Sequence, residues 1–361
     1  MRRVPALCLS AVCSLLLACS TRKELSPRAA QRDAAEGAGT TSATVSPRAA
    51  PAPGSVPLPA PLPRSAMVEL GRSVEQKRIE RDVQAFALVR PPGSAGWRRV
   101  QQLIAKRLTD LGFELERHAY GSGTNLIGTL RGSDEQVIAS AHYDHIERCA
   151  GADDNASGVA AVLELSRLLA RSPRSRTLRV AFWDEEERGL LGSRAFAQRA
   201  RKRNEQIAIA VSFDAVGFAR ESANSQRVPP GFEQLLPEQA ARLAQRNFRG
   251  DFIALVASSS AHESSARFAT YAEPLQLALL RVDVSPLEAT LMPDLFRSDH
   301  ASFWLNGYPA LLLTDTAELR NPAYHCSGGP DRPATLDYSF LTRVTATAVA
   351  ALAEALQPEA T

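Results

Sequence analysis

The sequence predicts an α/β fold: a single three-layer αβα domain built around a mostly parallel, mixed central sheet. Three observations lead there. Short, continuous apolar runs alternate with amphipathic segments of helical period over the last three quarters of the chain, the pattern of buried strands joined by crossover helices. Polar clusters follow the ends of several of these runs, as functional groups do at the carboxyl ends of parallel strands. No internal repeat divides this stretch, so one domain is more economical than the two that 361 residues suggest.

The first quarter is of another kind. All 22 aromatic residues lie at or after Phe86, and seven of the 23 prolines fall between Pro47 and Pro63. Such a segment buries too little apolar area to offset its ordering entropy. Arg2 and Arg3 precede an uncharged, largely apolar run from Val4 to Ala18, an export signal too short to span a bilayer stably. Its end, Leu16-Leu17-Ala18-Cys19, resembles a bacterial lipobox. The organisation expected is a signal peptide at 1–18, a lipidated Cys19 with a Pro/Ala-rich tether to residue 66, and a catalytic domain at 67–361. That makes an exported lipoprotein of the cell envelope, held to a membrane through Cys19. The chain's net charge of +3 belongs to the N-terminal segment; from Met67 onward 34 basic residues face 36 acidic ones. No basic domain asks for nucleic acid.

The elements follow in order. Helical periodicity runs from Met67 to about Val89, where Pro91-Pro92-Gly93 breaks it, and again over Ala95–Leu111 up to Gly112. Strands are expected at Asn125–Leu130, Gln136–Ala141, Thr177–Trp183, Ile207–Phe213, Phe252–Ala257, Leu277–Val282 and Ala310–Leu313. Helices are expected at Ser157–Ala170, Ser193–Lys202, Pro237–Arg246, Ser259–Tyr271 and Leu336–Leu356. The stretch Glu221–Asp294 reads as pocket walls.

The polar clusters carry the chemistry. His142-Tyr143-Asp144 follows one strand, Asp184-Glu185-Glu186-Glu187 a second and Asp214 a third; His325 sits in a Tyr-His-Cys turn. Taken singly, each is compatible with a solvated turn or a helix cap. Together, two histidines and several carboxylates on one sheet edge suit one or two Zn²⁺ ions with nitrogen and oxygen ligands. A carboxylate bridging two ions makes up for so few histidines.

Five segments, SAHYDH, GADDNASGVAAVLELSRLL, FWDEEERGLLGSRAFA, VSFDAVGF and RSDHASFWLNGYPALLLTDT with RNPAYH, resemble in order those of the co-catalytic zinc aminopeptidases of metallopeptidase family 28. The resemblance implies the zinc-aminopeptidase fold, two Zn²⁺ per chain and a peptide substrate, most simply cleaved at its N-terminus by zinc-bridged hydroxide. It places His142 and Asp214 on one metal, Glu187 and His325 on the other, and Asp154 between them. It implies Glu186 as general base, Asp144 as the acid orienting His142, and Tyr324 as a group polarising the transition-state oxygen. It also implies a cis bond between Asp154 and Asn155. Counting back from Gly189 selects Glu186 and Glu187; a shifted register would select Glu185 and Glu186. A glutaminyl-cyclase-like acyltransferase is an alternative on the same fold, disfavoured by the Asn155-Ala156-Ser157-Gly158 and GLLGS runs. Carboxypeptidase or dipeptidase action would need a cation for the substrate carboxylate, and Arg297 and Arg320 are the candidates. Oligomeric state and side-chain preference are not readable.

Ser298-Asp299-His300 cannot form a charge-relay triad from adjacent positions; His300 is either a substrate contact or part of a structural turn. Arg320 reads as structural, aiming a loop or salt-bridged to a core acid such as Asp315. His118, His145 and His262 read as surface residues, with His145 set apart because it follows Asp144. Once Cys8 and Cys13 leave with the signal, Cys149 and Cys326 remain, a disulfide candidate in an exported protein or else two separate thiols. Because the implied metal site joins their segments, a Cys149–Cys326 bridge is expected at its rim.

Overall fold

The computed structural model describes residues 61–357. The expected signal, Cys19 and the tether up to residue 60 lie outside the described residues. Helix α1 (Arg64–Arg72) begins just ahead of the expected domain start. With α2 (Gln76–Phe86) it replaces the single helix expected from Met67 to Val89. The break has a tertiary cause: the Glu75 N–H donates to the Glu164 carboxylate, 2.9 Å away, instead of continuing the helix. Helix α3 (Ala95–Asp110) is capped by Ser94, whose side chain accepts the Trp97 N–H.

Strand β1 (Glu114–Tyr120) has no counterpart among the expected strands. Its sequence, ELERHAY, is mostly polar because it is an edge strand, antiparallel to β2 (Gly123–Leu130) and largely open to solvent. The chain continues through β3 (Ser133–His142), α4 (Gly158–Leu169), β4 (Arg176–Trp183), α5 (Leu191–Lys202) and β5 (Gln206–Phe213). Short helices α6 (Phe232–Leu235) and α7 (Pro237–Gln245) lead to β6 (Ile253–Ser258), α8 (His262–Ala272) and β7 (Leu279–Val284). Then come α9 (Pro286–Leu291), α10 (His300–Trp304), β8 (Ala310–Thr314) and the long α11 (Tyr338–Ala355).

The eight strands form one mixed sheet in the order β1-β2-β4-β3-β5-β8-β6-β7. The central quartet β4-β3-β5-β8 is parallel, as is the pair β6-β7, while β1-β2, β2-β4 and β8-β6 are antiparallel. The expected single α/β domain with a mixed sheet is therefore what forms. Alternate residues of each strand enter opposite layers. Val137, Ala139 and Ala141 join the core beneath α4, α11, α2 and α1. Ile138 points the other way, to Trp183, Phe196 and Phe303 under α5 and α10. Beneath α6, α7 and α9, Ala254, Val256, Leu280 and Val282 build a third cluster with Phe232 and Leu243. Since β4, β3, β5 and β8 run parallel, the segments leaving their carboxyl ends converge on one edge.

Candidate metal centre

His142 is the last residue of β3 and is buried. Its Nε2 lies 3.2 Å from Asp154 Oδ1 and 3.5 Å from Asp214 Oδ1. Asp214 directly follows β5, its backbone N–H donating to the Leu313 carbonyl of β8. On the far side of Asp154, Oδ2 lies 3.1 Å from His325 Nε2, which is also 3.1 Å from Glu187 Oε2. Asp154 thus turns one oxygen toward each histidine. It enters the site across a cis Asp154–Asn155 peptide bond, and Asn155 ties the turn to β5 by donating to the Phe213 carbonyl.

Asp144 is fully buried and has two duties. Its Oδ1 faces His142 Nδ1 at 3.6 Å, and its two oxygens accept the backbone N–H groups of Glu186 and Glu187 at 3.1 and 3.3 Å. The second duty fixes which glutamates face the site. Glu185 is turned away, its carboxylate taken by the Ser122 hydroxyl and by Arg188 NH1. Glu186 and Glu187, rather than Glu185, are the glutamates whose backbone Asp144 holds here.

Burial pushes the Glu186 carboxyl well above the usual range, and the nearby carboxylates of Asp214, Asp299 and Glu187 add to the rise. Burial acts in the same direction on Asp154, but the adjacent His142 and His325 rings outweigh it and hold that carboxylate well below its ordinary value. The two carboxyls are thus pushed in opposite directions by their surroundings.

The donor set fits metal ions. His142 Nε2, His325 Nε2 and Asp154 Oδ1 are buried without a satisfying hydrogen bond, a costly arrangement unless something else takes up their lone pairs. Two ligand atoms on one tetrahedral zinc, with bonds near 2.0–2.1 Å, sit about 3.3 Å apart. The His142 contacts to Asp154 and Asp214, and the His325 contacts to Asp154 and Glu187, span 3.1 to 3.5 Å.

Residues 125–352 match the model of peptidase family M28. The chain belongs to this family. It is 32% identical over 222 residues to an uncharacterised Escherichia coli protein, YfbL, covering 58% of this chain and 63% of that one. It is 26% identical over 243 residues to a probable leucine aminopeptidase of Arthroderma otae, covering 64% and 56% respectively. It thus spans less than two thirds of the length of either relative. Its fold is that of a zinc aminopeptidase from Bacillus subtilis, with a TM-score of 0.60 at 15% identity over 80% of this chain and 97% of that one.

Within this M28 domain, several residues sit elsewhere than the sequence suggests. His145 is buried, not on the surface: its Nδ1 is 2.7 Å from Glu187 Oε1, because the loop after β3 folds back into the site. His118 is also covered, on the face of β1 that packs against α5. Its ring lies between Tyr120 and Phe196, with Nδ1 3.1 Å from the Asn125 amide. His262 is exposed and faces Asp283. His300 is fully buried, donating from Nε2 to the Leu295 carbonyl at 2.8 Å with its ring edge-on to Trp304. That is the structural turn rather than the substrate contact. Arg320 is buried and structural, but no salt bridge to Asp315 holds it. It donates to the Phe218 and Phe252 carbonyls and to Gln226 instead. Arg297 is ion-paired with Glu318.

Cys149 and Cys326 are joined by a disulfide, their Cα atoms 5.7 Å apart. Tyr324 stacks on His325 with ring centroids 4.0 Å apart.

Two positioning groups, Asp331 and Arg90, escape a reading of the sequence, and a further buried acid sits in the Ser298-Asp299-His300 turn. Asp331 accepts the backbone N–H groups of Asp153 and Asp154 and so fixes the turn that carries Asp154. Asp299 is a buried carboxylate pushed up to about 7 by burial and by nearby Asp214 and Asp144, against the opposing pull of His142 and Ser193. Arg90 is fully buried and donates to the carbonyls of Tyr143, Ala150 and Gly151, bracing the loop that carries the ligands. Neither Asp331 nor Arg90 lies in a pattern that marks it locally.

Beside the centre opens a cavity of about 190 Å³. Phe232, Leu236, Phe252, Val256, Leu280 and Val282 make it apolar, and Asp214, Ser298 and Tyr324 border it on the metal side.

Proposed function

We propose that the chain is a zinc-dependent exopeptidase that removes N-terminal residues from peptides. Two Zn²⁺ would be held by His142, Asp154 and Asp214 and by Asp154, Glu187 and His325. The observation that carries the reading is the pair of ligand sets sharing the two oxygens of Asp154, with the raised Glu186 carboxyl beside them. Bound there, the metal pair would supply Lewis acidity, making water a nucleophile near neutral pH and polarising the scissile carbonyl.

The chain's own groups do the rest. Glu186 takes the proton of the attacking water and returns it to the leaving amine, the work of a carboxylate placed beside the ligand sets. Asp144 holds the His142 ring in one orientation and keeps Glu186 and Glu187 on the site face. Burial raises the Tyr324 hydroxyl, so it stays protonated and can donate to the developing oxyanion. The apolar cavity next to Asp214 receives the side chain of the N-terminal residue, which favours large aliphatic or aromatic residues there. Carboxypeptidase action loses support because Arg297 and Arg320 are both committed to other partners.

The test is purified protein assayed for metal content and for turnover of free, acyl-blocked and N-terminal glutaminyl substrates. Two zinc ions per chain and cleavage confined to free N-termini are expected; equal cleavage of blocked substrates would sink the aminopeptidase reading. Glu186→Gln should lower turnover by about 10²–10⁴-fold while zinc stays bound.

Arg2-Arg3, the apolar run to Ala18 and Cys19 support export and lipid anchoring. Metabolic labelling with a fatty acid should mark the chain, and Cys19→Ala should abolish the label and release the protein into the soluble fraction.

A further inference from the structure

His145 lies outside the ligand set proposed above, yet its ring is fixed against that set. It is buried, its Nδ1 is 2.7 Å from Glu187 Oε1, and it meets the His325 ring edge-on at 5.6 Å. The backbone closes over it at Gly151, where an added Cβ would come within 2.6 Å of a His145 ring carbon; Gly151 itself has φ +56°. The other ring nitrogen, Nε2, is buried without a hydrogen-bond partner. Among the described residues, the acceptor facing this imidazole is therefore the Glu187 carboxylate, which sets the tautomer with its hydrogen on Nδ1.

Glu187 divides its oxygens. Oε2 faces His325 Nε2 at 3.1 Å and Oε1 faces His145 at 2.7 Å. His145, Asp154 and Glu187 could also be grouped as three donors to one ion. The distances decide between the two arrangements. Neighbouring ligands on one zinc sit about 3.3 Å apart, which matches the His325 contact, whereas 2.7 Å is a charge-assisted hydrogen bond.

We propose that His145 is a positioning residue: its Nδ1–H clamps Glu187 Oε1, presenting Oε2 alone to the metal shared with His325 and setting the affinity of that position. This rests on the two-metal reading given above. It makes the two metal positions differently supported, the first through Asp144 and His142, the second through His145 and Glu187.

The experiment is zinc binding to the metal-free full chain, measured by competition with a chromophoric chelator. Wild type, His145→Leu, His145→Asn and His145→Gln are compared, with thermal melting of each metal-free form as a check on folding. The Asn amide places a donor near the Nδ1 position; the Gln amide reaches toward Nε2 instead. Expected is one site of unchanged affinity in every variant. The other should weaken by about 10–100-fold in the Leu variant and recover most of that loss in the Asn variant but not in Gln. Both sites at wild-type affinity in the Leu variant would overturn the proposal. So would an Asn variant as weak as Leu or Gln, which would make the ring itself a ligand. If the Leu variant does not fold, the Asn and Gln comparison alone decides. A wild-type chain that fails to bind two zinc ions would instead overturn the two-metal reading itself.

Discussion

Replacing both cysteines of the Cys149–Cys326 bridge with serine tests how the site is tied together. The bridge closes a loop of 177 residues, more than half of the described domain. In the chain-entropy treatment, opening such a loop returns about 5 kcal/mol of conformational freedom to the unfolded chain at 25 °C. Disulfides often deliver less than this, so a loss of roughly 2–5 kcal/mol is expected, against a total stability of about 5–15 kcal/mol for a domain. The local consequence is sharper. His325 and Cys326 both have left-handed backbones, with φ of +52° and +56°, a conformation that costs non-glycine residues about 1–3 kcal/mol each unless their surroundings enforce it. The bridge is one of the enforcing contacts, so the zinc position served by His325 should weaken in the variant while the His142 position does not. Urea unfolding in the presence of a chelator separates the two effects, because bound metal would stabilise the native state by itself. The midpoint should fall by roughly 1 M. An unchanged midpoint and unchanged slope, in a parent shown by mass spectrometry to be bridged, would refute the loop-closure argument.

Other expectations are as direct. Asp144→Asn should weaken one zinc position by about 10–100-fold and lower turnover further by loosening the turn that carries Glu186; metal titration and steady-state kinetics read the two losses separately. Val256→Phe should fill part of the apolar cavity and shift preference from large to small N-terminal residues, seen as a reordering of kcat/KM across a substrate panel. His300 gives a pH signature: burial pushes its pKa down to about 4 from an ordinary value of 6.5. The unfolded chain then binds more protons between those values. The contribution is present in full above pH 6.5 and is lost as pH falls through about 4, roughly 3 kcal/mol in all. His300→Leu should flatten that slope in unfolding free energy measured against pH, whatever its effect on overall stability.

What could be read from the sequence divides along physical lines. Buried strands are short, apolar and bounded by turn residues, so β2 through β8 stand out. The polar β1 does not, because hydrogen bonding to β2 rather than burial places it in the sheet. The five expected ligands come from segments far apart in sequence, yet the structure gathers them, because each ends a strand of the parallel quartet or lies on the segment that leaves its carboxyl end. The choice among Glu185, Glu186 and Glu187 rests in the sequence on spacing to Gly189; in three dimensions it rests on Asp144 holding two backbone N–H groups. Asp331 and Arg90 are illegible for a common reason. Each acts through contacts between distant segments, and nothing in its neighbours' hydropathy or spacing records such a contact.

The apolar cavity has a consequence for how the chain can change. Most of its wall comes from residues between Gln226 and Leu319, whereas the groups assigned to proton transfer and metal binding lie before or after that span, with Asp214 and Tyr324 at its two margins. Chemistry and selectivity therefore occupy separate lengths of one polypeptide, joined at two borders. Substitutions in the intervening span can reshape what is admitted without moving the groups that react. A scaffold divided in this way can diversify its diet while its reaction stays constant.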